Sequence, residues 1–379
     1  MIVVYIIFII SLLGIFHAYL GYPVSLYLLS IYQTLVVKKQ SFYPRVTFII
    51  TAHNEVAQIE KKIRNTLELQ YLKEALEILV VSDGSTDGTN DIVQKFAPQG
   101  VKLLDLETRS GKEHAQKRAI ETASGEILVF SDVATFLDPL GLEQIVSNFA
   151  DASIGCVSSE DRLQSKEGGS SGEDLYVKYE MWLRHLESKV SSLVGLSGSF
   201  FAARKEVLND FSGDMQSDFR TVLNSIKLGL RGVSDPEAIG YYLDVREGSK
   251  EFDRKIRTII RGLAVFFNHT EFLNPFVYGL FAYQYFCHKL LRWSVPFLLI
   301  SLFISNVILA ISSQMMFVVL ILHILFYTSA VTGWLKPSLK RMIFVKIPCY
   351  FSIVNMSILI AWIRYLRGER IVMWQPTTR

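Results

Sequence analysis

Glu126-Ile127-Leu128-Val129-Phe130-Ser131-Asp132-Val133-Ala134-Thr135 reads as a buried strand: an apolar run that ends in a polar turn, with a carboxylate at its C-terminal tip. Open α/β sheets bind their ligands at the carboxyl ends of their strands, so Asp132 stands where a side chain meets a ligand or its metal ion. A capped turn uses the same residues, and this stretch alone does not separate the two. An earlier apolar run, Glu77–Ser82, ends the same way at Asp83, followed by Gly84-Ser85-Thr86-Asp87-Gly88.

Working outward, the same alternation continues. Val46–Thr51 is a short strand with the polar exit Ala52-His53-Asn54-Glu55, and a helix is expected from about Val56 to Leu69. Asp91–Phe96 falls in the next helix and Val101–Leu104 in a third strand. Ser110-Gly111-Lys112 opens a helix with Ala115, Ala119 and Ala123 on one stripe, where small residues let a helix approach a sheet. Strands alternating with helices predict βαβ units and a mostly parallel, Rossmann-like α/β sheet flanked by helices. Further on, Leu175–Leu193 reads as an amphipathic helix, Ser197–Ala203 as a strand and Gln216–Leu230 as a helix. Phe252–Phe267 is another helix, with Arg254, Arg257 and Arg261 on one stripe. Ser165 to Gly172 is Gly/Ser-rich and reads as a loop.

The chain has 379 residues, half of them hydrophobic, and this excess is concentrated at the two ends. Residues 2–37 and 294–335 carry no Asp, Glu, Lys or Arg. Roughly 20 apolar residues cross a bilayer, so both stretches qualify. Lys38-Lys39, Lys336, Lys340-Arg341, Arg364, Arg367 and Arg370 flank apolar segments, which places those flanks in the cytoplasm. The expected order is an N-terminal anchor over 1–37, a cytoplasmic catalytic domain over 38–270, an interfacial helix over 271–293, and a C-terminal membrane region with a cytoplasmic tail over 294–379. The first span has no basic start or small-residue cleavage site, so it is read as retained. Residues 343–363 hold Lys346, Pro348 and Asn355 between basic flanks, which favours a re-entrant or interfacial segment over a full span. A net charge of +3 is too small to argue for nucleic acid, which is not expected as a partner, and three scattered cysteines lack metal-ligand spacing.

Taken in order, Thr51-Ala52-His53-Asn54-Glu55, Asp83-Gly84-Ser85-Thr86-Asp87, Gly111-Lys112, Gly125-Glu126 with Asp132, Gly198 with Phe201, and Ser217-Asp218-Phe219 resemble the family-2 glycosyltransferases of GT-A fold. The membrane layout resembles the branch containing cellulose, hyaluronan and poly-N-acetylglucosamine synthases. This likeness covers about residues 44–262 by motif.

The resemblance implies inverting transfer of a sugar from a nucleotide-sugar, expected to be UDP-linked, to a glycan or lipid-linked acceptor. It implies that this occurs on the cytoplasmic side of a bacterial inner membrane, in contact with membrane lipids. Asp218 would be the general base; read from the residues alone, it equally suits an N-cap of the following helix. Asn54, Glu55, Asp83, Lys112, Asp132, Gly198, Arg254 and Arg257 would bind substrate, with Asp83 on the base or ribose. Asp132 would hold a divalent metal, Mg2+ or Mn2+. The family's second acid is missing, because Ala134 stands two residues after Asp132. That departure leaves a second reading open: a membrane-bound nucleotide-sugar-binding or assembly protein that has lost turnover.

Overall fold

A computed structural model describes residues 1–164, 172–243 and 248–371. The loop expected from Ser165 falls almost wholly outside them, as does the tail from Trp374 onward. The chain forms two compact units. One consists of residues 29–169 and 177–246, and the other of residues 1–28, 170–176 and 247–370.

The first unit is built on an eight-stranded sheet of order β3-β2-β1-β4-β7-β6-β8-β5. Its strands are β1 (Val46–Ala52), β2 (Leu76–Asp83), β3 (Val101–Leu106), β4 (Ile127–Asp132), β5 (Thr135–Leu137), β6 (Ile154–Gln164), β7 (Phe200–Arg204) and β8 (Arg231–Leu243). The half that runs β3-β2-β1-β4 is parallel. Beyond β4 the sheet is mixed: β7 is antiparallel to β4 and β6, β6 is parallel to β8, and β5 is antiparallel to β8. The expectation of a mostly parallel sheet therefore holds for one half, and the other half corrects it.

Strands β1, β2 and β4 are buried on both faces over most of their length, which explains their apolar runs, whereas the edge strand β3 exposes Lys102 and Asp105. Val46, Phe48 and Ile50 of β1 pack with Ile59 and Ile63 of the helix Ile59–Leu67, and with Leu142, Ile145 and Val146 of the helix Gly141–Ser147. Gly125 lets the turn before β4 lie directly on β1. A Cβ there would stand 2.8 Å from Val46 C and closer still to Thr47 N. Glu77 ties this corner together, accepting from Thr47 Oγ1 (2.6 Å), Ser124 N (2.9 Å) and Lys102 Nζ (2.7 Å). It titrates at about 2. Burial opposes that drop, and these hydrogen bonds outweigh it.

Strands β5, β6 and β8 and the helix Gly141–Ser147 are absent from the pattern reading. β8 contains Asp235-Pro236, which reads as a turn. The structure accommodates it by a register shift between Ser158 and Glu160, so that Ser158 pairs with Ser234 but Glu160 pairs with Ile239.

In the second unit, four helices are long and apolar enough to cross a membrane: Ile2–Tyr32, Leu280–Ala310, Gln314–Leu335 and Ile343–Leu366. Ile10, Leu13, Ile31, Leu322 and Leu325 stand exposed along them, a surface suited to lipid and not to water. Phe8 meets Leu302, Leu309 and Met316 inside the bundle. Ser313 caps the third helix at Met316 N. Two expectations change. The second span begins at Leu280 and runs through a π-helical turn, Phe286–Leu291, into Arg292–Ala310, so the stretch before Ser294 is not a separate interfacial helix over its whole length. Ile343–Leu366 is one continuous helix through Pro348, not a re-entrant loop, and it packs along the helix Gly248–Asn268.

Candidate active site

The carboxyl ends of β1, β2 and β4 meet at one edge of the parallel half-sheet, and their exit loops are knitted together. Asn54 sits in the left-handed region (φ 53°) and accepts from Thr86 N at 2.9 Å, while its own N–H donates to Ser85 Oγ at 3.1 Å. Glu55 N–H donates to Thr89 Oγ1 (2.9 Å) and Val56 N–H to Asp87 Oδ2 (3.0 Å). His53 Nδ1 lies 2.6 Å from the Asp83 carbonyl oxygen. The exits of β1 and β2 thus form one rim.

Asp83 is only 2% exposed. Its Oδ1 accepts from Ser110 N (2.7 Å) and its Oδ2 from Gly111 N (2.8 Å). The sequence reading assigns this acid to the base or ribose of a donor. In the structure both oxygens are given to backbone amides, and Asp83 anchors the turn that delivers Lys112. Gly111 (φ 102°) enters that turn in a conformation other residues rarely adopt.

Lys112, at the start of the helix Lys112–Thr122, reaches across to the tip of β4. Its Nζ donates to Asp132 Oδ1 and, at 3.0 Å, to the Gly198 carbonyl oxygen. Lys112 is 12% and Asp132 29% exposed, so the pair lies in a partly covered recess. Asp132 N–H donates to Ser199 O at 3.0 Å, which fixes the backbone of the acid to the same Ser197-Gly198-Ser199 turn.

Asp218 closes the set. It lies in the first turn of the helix Ser217–Lys227 and does not cap it, because Gln216 is the N-cap position. Its Oδ1 accepts from Phe219 N (2.8 Å) and its Oδ2 from Gln216 Nε2 (3.3 Å). A Cβ on Gly198 would stand 2.8 Å from Asp218 Oδ2, so the carboxylate rests directly on Gly198. Asp83, Lys112, Asp132, Gly198 and Asp218 therefore form one connected series of contacts, although their positions run from 83 to 218. Beneath them Phe130 stacks on Phe201 (4.8 Å) and lies near-parallel to Phe211 (6.4 Å).

Arg254 and Arg257 belong to the other compact unit. Burial lowers the Arg257 guanidinium from its ordinary range against the charge of Asp253, and the neighbouring Arg254 and Arg261 lower it further. This is a stripe of like charges, as the spacing predicted.

Two residues of the site escaped the sequence reading. Asp161, near the end of the unrecognised strand β6, accepts from Ser197 Oγ (2.6 Å) and Ser199 Oγ (2.9 Å) and so braces the Gly198 turn. Lys62 is fully buried in the helix Ile59–Leu67, and its Nζ donates to Ser131 Oγ (2.7 Å) and Thr135 O (2.5 Å) on either side of Asp132. Burial pushes its amine down to about 7, with the charge of Asp132 opposing. A signal existed: position 62 lies on the stripe of Ile59, Ile63 and Thr66, where an apolar residue belongs.

Residues 47–211 match the family described as Glycosyl transferase family 2. The chain carries a family-2 glycosyltransferase domain. Asp83, Lys112, Asp132 and Gly198 fall inside the matched glycosyltransferase segment, and Asp218 follows it. The chain is 28% identical over 193 residues to a poly-beta-1,6-N-acetyl-D-glucosamine synthase of Staphylococcus aureus strain COL, covering 49% of this chain and 46% of that one. It is 26% identical over 169 residues to the enzyme of the same name from Staphylococcus epidermidis, covering 44% and 40%. The matched part thus spans less than half the length of these relatives. Among solved structures, a mannosyltransferase of Pyrobaculum calidifontis in complex with GDP-Man and Mn2+ shares the fold over 97% of this chain and 100% of that one, with a TM-score of 0.76 and 22% identity.

Proposed function

We propose that this protein transfers a sugar, with inversion, from a UDP-sugar to a glycan or lipid-linked acceptor at the cytoplasmic face of a membrane, in cell-envelope glycan synthesis. One observation carries the reading: Lys112 bridges Asp132 to the turn on which Asp218 rests. A cation, an acid at a strand tip and a second acid thus share one recess, which suits a charged diphosphate on one side and an acceptor hydroxyl on the other.

The roles follow from the chemistry. Asp218 takes the proton of the acceptor hydroxyl as its oxygen attacks the anomeric carbon. The bond from that carbon to the diphosphate breaks on the opposite side, and this in-line displacement inverts the centre. Lys112 stabilises the charge that gathers on the leaving diphosphate. Asp83 holds the turn that aims Lys112, while Asn54 and Glu55 line the nucleotide end.

A divalent ion fits this recess in a limited way. Among the described residues no three His, Cys, Asp or Glu side chains gather, and Ala134 offers no ligand. Lys112 meets Oδ1 of Asp132, whereas Oδ2 accepts no protein hydrogen bond among the described residues. Magnesium is commonly held by one or two carboxylates together with substrate phosphates and water. Asp132 would then be the single protein ligand of Mg2+ or Mn2+, and the ion would neutralise charge on the diphosphate.

Asp218→Asn tests the assignment. Transfer from UDP-sugars in membranes should fall by about 10²–10⁴-fold, the usual worth of a general base, with UDP affinity nearly unchanged. Undiminished transfer removes Asp218 from the mechanism. Ala134 supports a second reading, in which the chain binds nucleotide-sugar without turning it over. Tight UDP binding with no transfer or donor hydrolysis across a panel of sugars would select it.

A further inference from the structure

We propose that Lys62 is a positioning residue for Asp132: a buried amine that spans the acid-bearing turn from below and sets how Asp132 faces a donor diphosphate. The inference rests on the transferase reading of the same recess and adds a residue to it.

Three observations carry the proposal. First, Lys62 has no packing reason to be a lysine. Its helix presents Ile59, Ile63 and Thr66 to the sheet, and position 62 on that face is 0% exposed. Its stem passes the Phe48 ring, with Nζ 5.5 Å from the centroid. A methionine would fill a similar volume without burying an amine. A buried charge is costly unless it is paired, so the amine needs a return from elsewhere.

Second, its hydrogen bonds fall on the two ends of one short turn. Ser131 is the residue before Asp132, and Thr135 begins β5 after Val133 and Ala134. The brace therefore fixes the three residues between them, the rim that carries the donor-facing acid. Both acceptors are neutral oxygens, and the amine has N–H groups enough to reach both whether or not it carries its extra proton.

Third, the charge that answers Lys62 is that of Asp132, which favours its protonated form against burial. Asp132 lies between two amines, Lys112 from the recess and Lys62 from the core. This arrangement holds Asp132 in place in a rim where position 134 is an alanine.

The test is a double-mutant cycle on the full-length protein in detergent, with UDP as the probe in the presence of Mn2+ and calorimetry as the readout. If Lys62 acts through Asp132, Lys62→Met weakens UDP binding about tenfold in the parent and less than about twofold in the Asp132→Asn background. A lysine that serves only packing gives equal fold-losses in both backgrounds, or none, and overturns the proposal. Should Lys62→Met fail to fold, Ser131→Ala goes through the same cycle, because it removes one contact and leaves the lysine in place. Equal losses there overturn the proposal in the same way. Wild-type protein that binds no UDP overturns the transferase reading and this inference together. Wild-type binding with additive losses overturns this inference alone.

Discussion

Replacing Lys62 by methionine should change how stability depends on pH, and the size of the change follows from the position of the amine. In the unfolded chain Lys62 titrates at its ordinary 10.5, whereas burial lowers it to about 7 in the fold, against the charge of Asp132. Between these values the unfolded chain binds one more proton than the folded one, so stability rises with pH. This contribution is complete above the unfolded value and is lost as the pH falls to about 7. One proton corresponds to about 1.4 kcal/mol per pH unit, so from about pH 8 to about pH 9.5 the wild type should gain roughly 2 kcal/mol that Lys62→Met does not. Denaturant midpoints read by tryptophan fluorescence at matched pH values measure the difference. Other groups, the buried Cys156 thiol among them, titrate alike in both proteins and cancel in the difference between them. Parallel stability curves for the two proteins would refute the burial argument, because an amine that reaches water in the fold keeps its ordinary value.

Gly198→Ala should push the Asp218 carboxylate aside by roughly 0.6 Å, since the new Cβ would stand 2.8 Å from Oδ2 where about 3.4 Å is ordinary contact. Turnover should fall by about 10- to 100-fold with UDP affinity little changed, and steady-state rates beside calorimetry would show whether it does. Gly125→Ala drives a methyl group into the backbone of Val46 and Thr47, and should lower the stability of the sheet unit by about 3 kcal/mol or more. An unchanged denaturant midpoint would contradict that close approach. Asp83→Asn leaves one of two backbone amides facing an NH2 group, and each such charge-assisted bond is worth about 1.5–3 kcal/mol. Hydrogen exchange at Ser110 and Gly111 should speed up, and retained protection would show that the turn is held by something else.

Local physics made half of this molecule legible from its residues. Strands buried on both faces must be largely apolar, so β1, β2 and β4 stand out as runs between polar exits, and parallel strands put those exits at one edge. The apolar runs therefore put Asp83 and Asp132 at strand tips, where β2 and β4 end. The helices fit for a membrane announced themselves by length and lack of charge. Strands β6 and β8 did not, because a bulge that accommodates Pro236 is a property of the pairing and not of either segment. The site divides in the same way. Residue type singles out Asp83, Lys112, Asp132 and Asp218 as candidates, whereas pairing alone decides what each one touches: Asp83 gives both oxygens to backbone amides, and Asp218 rests on Gly198 and accepts from Phe219 N. Lys62 shows the division most sharply. Its spacing places it on a buried stripe, but only the packing of that helix against β4 brings its amine beneath Asp132, because what a buried charge does depends on partners that are distant in the chain and adjacent in the fold.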